Sequence, residues 1–364
     1  YDRRVFSRGI QPHVYAIVES NGLDSSSVEY FTNNDPKLKK DFGTLMDELR
    51  DAKEYGSILN ISQVDFAALY ARVEEVRADI SMFREIVLNS ILPLIQAAEV
   101  MAQKYDVVVT NPPYMGISNA SEKLNQYAKK AYPISRYDLS TICMEKTLSM
   151  CNKTGMMAMI NIPVWMSKSS FEDLRYSLLT KHTFVNMLHC GRGIFGSDFG
   201  TTAFVIRKSF EKGYAATFHQ LFDEMGAVDS VERWFFERKG LYIAEQKKFL
   251  NIGSYPIAYS TSKRLLEILD TEKPLSDFAY PRKGLTTGDN DTFIRLWFEV
   301  SGQKFSMTGN GRKWFPMTKG GDFRRWYGNN DYVVNWENNG VQFTPDEIYD
   351  LSGCCDISAM NELL

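Results

Sequence analysis

Asn111-Pro112-Pro113-Tyr114 directly follows the apolar run Val107-Val108-Val109. Asn111 offers a side-chain carbonyl that accepts hydrogen bonds, while Pro112 and Pro113 keep their backbone carbonyls and have no N–H to donate. A cluster of acceptors without nearby donors suits a group with two protons to give, such as an exocyclic –NH2. The N6 lone pair of adenine is delocalised into its ring and is a poor nucleophile. Two acceptors on its protons would draw that nitrogen toward tetrahedral geometry and favour attack on an electrophilic methyl. Tyr114 adds an aromatic face, and stacking on a base is worth about 1–3 kcal/mol. A base inside a duplex cannot reach such a turn, so it must leave the stack. Taken alone, the four residues also read as an ordinary proline turn with an incidental amide and ring.

The elements around the turn decide between these readings. Tyr105-Asp106-Val107-Val108-Val109-Thr110 is dense in β-branched residues and predicts a buried parallel strand that stops where Pro112 removes a ladder donor. Ligands bind at the carboxyl edge of such sheets. The two prolines fix φ over two residues and push Asn111 out of the helical region, which makes the turn stiff. Further strands are expected near Gly155–Ile160, Phe184–His189, Thr201–Arg207 and Tyr214–His219. Helices are expected near Asp41–Ala52 and Ser262–Leu269. Leu69, Val73, Val76, Ile80, Phe83 and Val87 recur at spacings of four and three, which predicts one amphipathic helix from Phe66 to about Leu92, broken or kinked at Pro93. Ser118–Arg136, with Lys123, Lys129, Lys130 and Arg136, reads equally as a lid or as a solvated connection.

Val108-Val109-Thr110-Asn111-Pro112-Pro113-Tyr114 resembles motif IV of the amino-methyltransferases that modify adenine N6. Tyr137-Asp138-Leu139 resembles motif V. Gly155-Met156-Met157-Ala158-Met159-Ile160 with Pro163 and Trp165 resembles the next strand and its proline–tryptophan end. Gly193-Ile194-Phe195 with Thr202-Ala203-Phe204-Val205-Ile206-Arg207 resembles the motif VIII region. The resemblance implies that Asn111, Pro112, Pro113 and Tyr114 are catalytic. It also implies that Tyr114 and Phe195 sandwich the flipped base, with Phe199 the next choice for the second face. Lys283-Gly284-Leu285-Thr286-Thr287-Gly288-Asp289-Asn290, Lys313-Trp314-Phe315-Pro316 and Lys319-Gly320-Gly321 resemble the start of a target-recognition domain in single-chain type IIG restriction–modification enzymes. Trp326-Tyr327-Gly328-Asn329-Asn330 and Val334-Asn335-Trp336-Glu337-Asn338 bring the likeness closer to the PglX family of BREX phage-exclusion methyltransferases.

That family binds S-adenosylmethionine through a Gly-rich turn after its first strand. Upstream of Asn111 the glycines Gly9, Gly22, Gly43 and Gly56 are isolated, and the chain starts at Tyr1. The expectation is a piece of a longer protein, cut inside the catalytic domain and weak or inactive in methyl transfer alone. Tyr1-Asp2-Arg3-Arg4 resembles the region after the second strand and Val14–Glu19 the third. Glu19 is then the one cofactor candidate.

Composition sets the remaining bounds. The 364 residues, 44% of them hydrophobic, suffice for two or three domains, and a net charge of −3 gives no global nucleic-acid footprint. Charge is uneven, however. From Arg282 to Arg325 nine basic residues stand against four acidic ones, with Trp297, Trp314, Trp326 and Tyr327 interleaved. Such a mixture suits a nucleic-acid face, and Lys283, Thr286, Thr287, Arg312, Lys313, Lys319, Arg324 and Arg325 are its candidate contacts. Cys143, Cys151, Cys190, Cys354 and Cys355 form no C-x-x-C pair, and the four histidines have no metal-ligand spacing. The reading is reduced cytoplasmic thiols and no metal site. No apolar run approaches about 20 residues, so no membrane span is expected.

The expected fold is α/β. A partial Rossmann-like class I methyltransferase sheet with a helical insertion is followed by an α+β target-recognition domain. The divisions are 1–104 (truncated N-terminal part with the insertion), 105–210 (catalytic half), 211–272 (connector) and 273–364 (recognition). The expected activity is S-adenosylmethionine-dependent N6 methylation of adenine in duplex DNA, in phage defence, with other defence-system subunits as further partners. Methylation of a protein glutamine or of RNA, and a non-catalytic DNA-recognition subunit, are the alternatives.

Overall fold

The computed structural model describes residues 7–9, 12–194, 200–222, 231–273, 277–279, 287–307 and 312–340. Two compact units divide the chain, Tyr1–Glu272 and Lys273–Leu364. The first meets the α/β expectation. Its sheet holds β1 (Tyr105–Thr110), β2 (Cys151–Asn161), β3 (Thr183–Arg192), β4 (Gly200–Arg207), β5 (Ala215–Gln220) and β6 (Leu241–Glu245) in the order β1-β2-β4-β3-β5-β6. β1 runs parallel to β2 and β3 to β5, and the other pairings are antiparallel. Met157, Met159, Trp165, Phe184, Met187, Phe204 and Phe218 fill one core against the sheet.

β1 departs from the buried strand expected of its sequence. It pairs with β2 on one side, and among the described residues no strand pairs with its other side. Val107 and Val109 are 60% and 71% exposed, while Val108, on the opposite face, packs on the core. A β-branched run thus forms a strand whether or not both of its faces are covered. Gly155 explains the close approach of β2, because a Cβ there would lie 2.8 Å from the Tyr105 carbonyl.

Residues 25–102 form a helical layer with a separate core of Phe31, Phe42, Leu45, Leu69, Val73, Ile91, Leu94 and Ile95. Aspartates start its helices. Asp24 accepts from Ser27 N, Asp35 from Lys37 N and Leu38 N with Pro36 behind it, and Asp65 from Ala68 N. The single helix expected over 66–92 is in fact two. The first, Phe66–Ala78, ends at Asp79, whose carboxylate accepts from Ile80 N and Tyr30 Oη. Ile80 is therefore fully exposed rather than part of an apolar stripe. Pro93 breaks nothing. It lies within the run Arg84–Ala102, where a π turn over Val87–Ile91 precedes it. A wider turn accommodates the ring and the lost donor without ending the helix. This run is long and apolar enough, by length and composition, to cross a membrane, and Val87, Ile91, Leu94 and Ile95 on it pack into the helical core.

Polar contacts fasten the helical layer to the sheet. Tyr132 Oη donates at 2.5 Å to Ile58 O, and Asn60 N donates at 3.0 Å to Tyr127 Oη. Lys146, buried on the helix Leu139–Met150, donates at 2.5 Å to Leu59 O. Burial, with the charge of Lys104 nearby, brings its pKa down to about 8. Within Ser118–Arg136 the helix Glu122–Ala131 meets this layer through the Lys123–Asp51 ion pair at 3.0 Å.

The second unit contains a three-stranded antiparallel sheet in the order β7 (Ile294–Leu296), β9 (Tyr332–Asn335), β8 (Trp314–Met317). Ile294, Val333 and Val334 are its buried apolar residues, and short helical turns surround it.

Candidate active site

The turn 111–114 lies where the sequence puts it, at the carboxyl edge of two parallel strands. Thr110 is paired with Met159, so Asn111 leaves β1 beside Ile160 of β2. Asn111 and Pro113 are exposed, Pro112 is buried and Tyr114 half-buried. Residues after the turn are held in place. Ile117 N donates to Tyr137 O at 3.1 Å, Leu139 N donates to Met115 O at 2.9 Å, and Gly116 forms a bridge with Asp138. Asp138 in turn caps the helix Leu139–Met150 by accepting from Ser140 N at 2.8 Å and Ser140 Oγ at 2.6 Å. The Tyr137-Asp138-Leu139 segment therefore anchors the segment that carries Tyr114.

Tyr114 Oη donates to Asn111 Oδ1 at 2.7 Å and lies 3.2 Å from Ile160 O. Burial raises the phenol pKa, so the hydroxyl stays a donor through neutral pH. The side-chain oxygen expected to face an incoming amine is thus hydrogen-bonded to its own neighbour in the turn.

Sequence reading missed the support beneath this corner. Asn161, fully buried at the end of β2, accepts through Oδ1 from Trp165 Nε1 at 3.0 Å and from Thr202 Oγ1 at 3.0 Å. Trp165 stacks on Phe184 and meets Phe204 edge-on. One buried amide therefore fixes β2, the turn after it and β4. The available signal was an Asn at a strand end four residues before Trp165, with Thr201-Thr202 opening the partner strand.

Phe195 and Phe199 lie outside the described residues, as do Lys283 and Thr286. Val14–Glu19 corrects the strand expectation, because the segment forms no strand and Val14 is exposed. An extended run needs a partner to become a ladder, and no described strand pairs with this one. Glu19 sits next to Ser20, whose hydroxyl bonds Met46 O in the helical layer, and pairs with Lys53 at 3.5 Å. Among the described residues no three of His, Cys, Asp and Glu converge in a way that could hold a metal. His189 bonds Tyr259 Oη at 2.9 Å, and burial drives its pKa down to about 4, so it serves as a neutral packing group.

In the second unit the candidate contacts differ in availability. Thr287 is buried and donates to Asn290 Oδ1 at 2.6 Å. Arg312 donates to Gln303 O at 2.7 Å, and Lys313 pairs with Glu337 at 3.0 Å. Lys319 lies over the Tyr332 ring. Arg324 and Arg325 are exposed on the turn between β8 and β9, beside Phe323, Trp326 and Tyr327, which are 88%, 89% and 85% exposed. Asn329, at positive φ, closes the base of that turn through Nδ2 donating to Asp322 O at 3.1 Å.

The chain is similar to known proteins along most of its length. The chain is 34% identical over 375 aligned positions to the adenine-specific methyltransferase BrxX of Escherichia coli O9:H4 (strain HS), covering 94% of this chain and 30% of that protein. It is 30% identical over 361 positions to the adenine-specific methyltransferase PglX of Lacticaseibacillus casei (strain Zhang), covering 93% and 30%. The chain thus spans under a third of the length of these relatives. Among solved structures, the DrdV–DNA complex aligns at TM-score 0.34 and 13% identity over 47% of this chain and 20% of that one. The type I restriction–modification methyltransferase subunit from Streptococcus thermophilus aligns at 0.33 and 15% over 43% and 38%. Residues 28–195 match the Eco57I restriction-modification methylase family. That stretch, which holds most of the helical layer, the Asn111 turn, Asp138 and Asn161, is therefore similar to the Eco57I restriction-modification methylases, in a chain similar to BrxX and PglX along nearly its whole length.

Proposed function

We propose that the intact protein carrying this chain methylates N6 of adenine in duplex DNA at a specific sequence, in a BREX or restriction–modification setting. The observation that carries the reading is the rigid Asn111-Pro112-Pro113-Tyr114 corner at the carboxyl edge of β1 and β2, pinned by Asp138 and by the Asn161 cluster. Asn111 Oδ1 accepts one amine proton and the Pro112 carbonyl the other, which raises electron density on the nitrogen. Tyr114 stacks on the extrahelical base, with Phe195 on its second face. The methyl donor is S-adenosylmethionine, which supplies the electrophilic carbon.

The unit Lys273–Leu364 is proposed as the start of the target-recognition domain. Lys283, Thr286, Thr287, Arg312, Lys313, Lys319, Arg324 and Arg325 are its candidate DNA contacts. Arg324 and Arg325 lead that group because both are exposed beside aromatics. The setting is cytoplasmic, with other defence-system subunits as further partners.

The test is a competition. The intact protein is offered labelled S-adenosylmethionine together with duplex DNA, structured RNA and a glutamine-containing peptide. Label is expected at adenine of the duplex alone. Label on RNA or peptide with none on DNA overturns the substrate assignment, and no transfer to any of the three favours a DNA-recognition subunit without catalysis.

A further inference from the structure

The proposed chemistry needs the Asn111 side-chain oxygen, yet in the described structure that oxygen already accepts a hydrogen bond from Tyr114 Oη at 2.7 Å, with Ile160 O 3.2 Å from the same hydroxyl. One O–H lies between two acceptors and can donate fully to only one. An exocyclic amine has two N–H groups and could serve two acceptors at once. Resting on the adenine reading above, we propose that the Tyr114 hydroxyl is a placeholder for the substrate amine: it caps Asn111 in the free site and is exchanged for the N–H of the entering base.

Three features of the site support this. The hydroxyl fixes the orientation of the exposed Asn111 amide, so the oxygen that the chemistry needs is already turned into the corner while no base is present. Segments on both sides of Tyr114 are pinned, by β1 before it and by the Met115–Leu139 and Ile117–Tyr137 bonds after it. The displaced O–H has Ile160 O 3.2 Å away to turn to, so the ring keeps its place as a stacking surface whether or not it caps Asn111. A specificity rule follows. A base must bring a donor to displace the hydroxyl. At the ring position of the adenine N6 amine, cytosine also carries an amine, whereas thymine and guanine carry a carbonyl there that would face the Asn111 oxygen lone pair to lone pair. The cap therefore works against wrong bases before any methyl is transferred, and Tyr114 positions the substrate amine as well as stacking on its ring.

Tyr114→Phe keeps the ring and removes the cap. The measurement is binding of the intact protein to two duplexes that differ at the target position, one with adenine and one with purine, which lacks the amine. Without the cap, adenine no longer displaces a hydrogen bond, so the adenine-over-purine preference should rise about fivefold, the equivalent of one net neutral hydrogen bond. An unchanged or smaller preference overturns the placeholder. Separately, 3-fluorotyrosine placed at position 114 alone reports the contact in the DNA-free protein by 19F NMR. Its resonance should move in Asn111→Ala and move again when the adenine duplex binds, and a resonance indifferent to both overturns the proposal. A protein that methylates duplex adenine but shows equal preferences in both forms refutes the placeholder alone. One that never methylates duplex adenine refutes the parent reading and the placeholder with it.

Discussion

At the Asn111 corner, functional groups are hydrogen-bonded within the fold. Asn111 is capped by Tyr114, Asp138 caps a helix, and Asn161 binds Trp165 and Thr202. In the turn Phe323–Tyr327 three aromatic rings stand almost wholly in solvent beside two arginines, and only the base of the turn is closed by Asn329. The two roles proposed for these regions would account for the contrast. Placing a nitrogen for in-line attack requires atoms held to fractions of an ångström. Gripping a long polyanion requires charge and stacking area that the fold has not already used.

Asn111→Ala should break the first region hardest. Losing a positioned acceptor typically costs about 10²–10³ in rate, so turnover of the intact protein should fall by that order while its affinity for duplex DNA changes little. A matching loss of affinity would mean that the corner grips rather than activates. Trp326→Ala should do the reverse. Stacking is worth about 1–3 kcal/mol per base, so DNA affinity should fall measurably in a fluorescence titration with little change in the single-turnover rate of bound complex. Replacing Arg324 and Arg325 by Gln should lower the steepness of the salt dependence of binding by about one unit for each phosphate that an arginine had neutralised.

Smaller effects test the frame. Asn161→Leu leaves Trp165 Nε1 without its partner in the core and Thr202 Oγ1 with the residue-161 backbone carbonyl at 3.3 Å. It should cost about 1–3 kcal/mol in denaturant unfolding and lower activity only as far as β2 shifts. Lys146 gives a pH signature. Its folded pKa is depressed to about 8 by burial. Below that value the lysine is charged in both states and the full cost of burying the charge is present. As pH rises from about 8 toward the ordinary lysine value, the folded state releases its proton while the unfolded state keeps it, so this contribution to stability rises. Lys146→Met should remove that rise, which thermal unfolding followed across this interval would reveal.

The sequence announced the corner because proline and β-branched residues act locally: Val107–Val109 make a strand and Pro112 ends it wherever they occur. β2, β3, β4 and β5 were readable for the same reason. Less could be seen where tertiary context decides. The Ile80 position satisfies a helical period, but Asp79 terminates the helix through partners on Tyr30 and its own following amide. Pro93 looks like a breaker, yet a π turn absorbs it. Val14–Glu19 has strand composition and forms no ladder, since a ladder needs a neighbour that composition cannot supply. Asn161 was invisible because its partners, Trp165 and Thr202, come together only when β2 and β4 pair.

The central claim is that the Asn111 corner holds the adenine amine for methylation, and single-molecule sequencing of host DNA tests it most directly. Cells with the intact gene should carry N6-methyladenine at one defined motif, and cells with Asn111→Ala, expressed to the same level, should show that mark lost. Equal modification in the two strains would contradict the account.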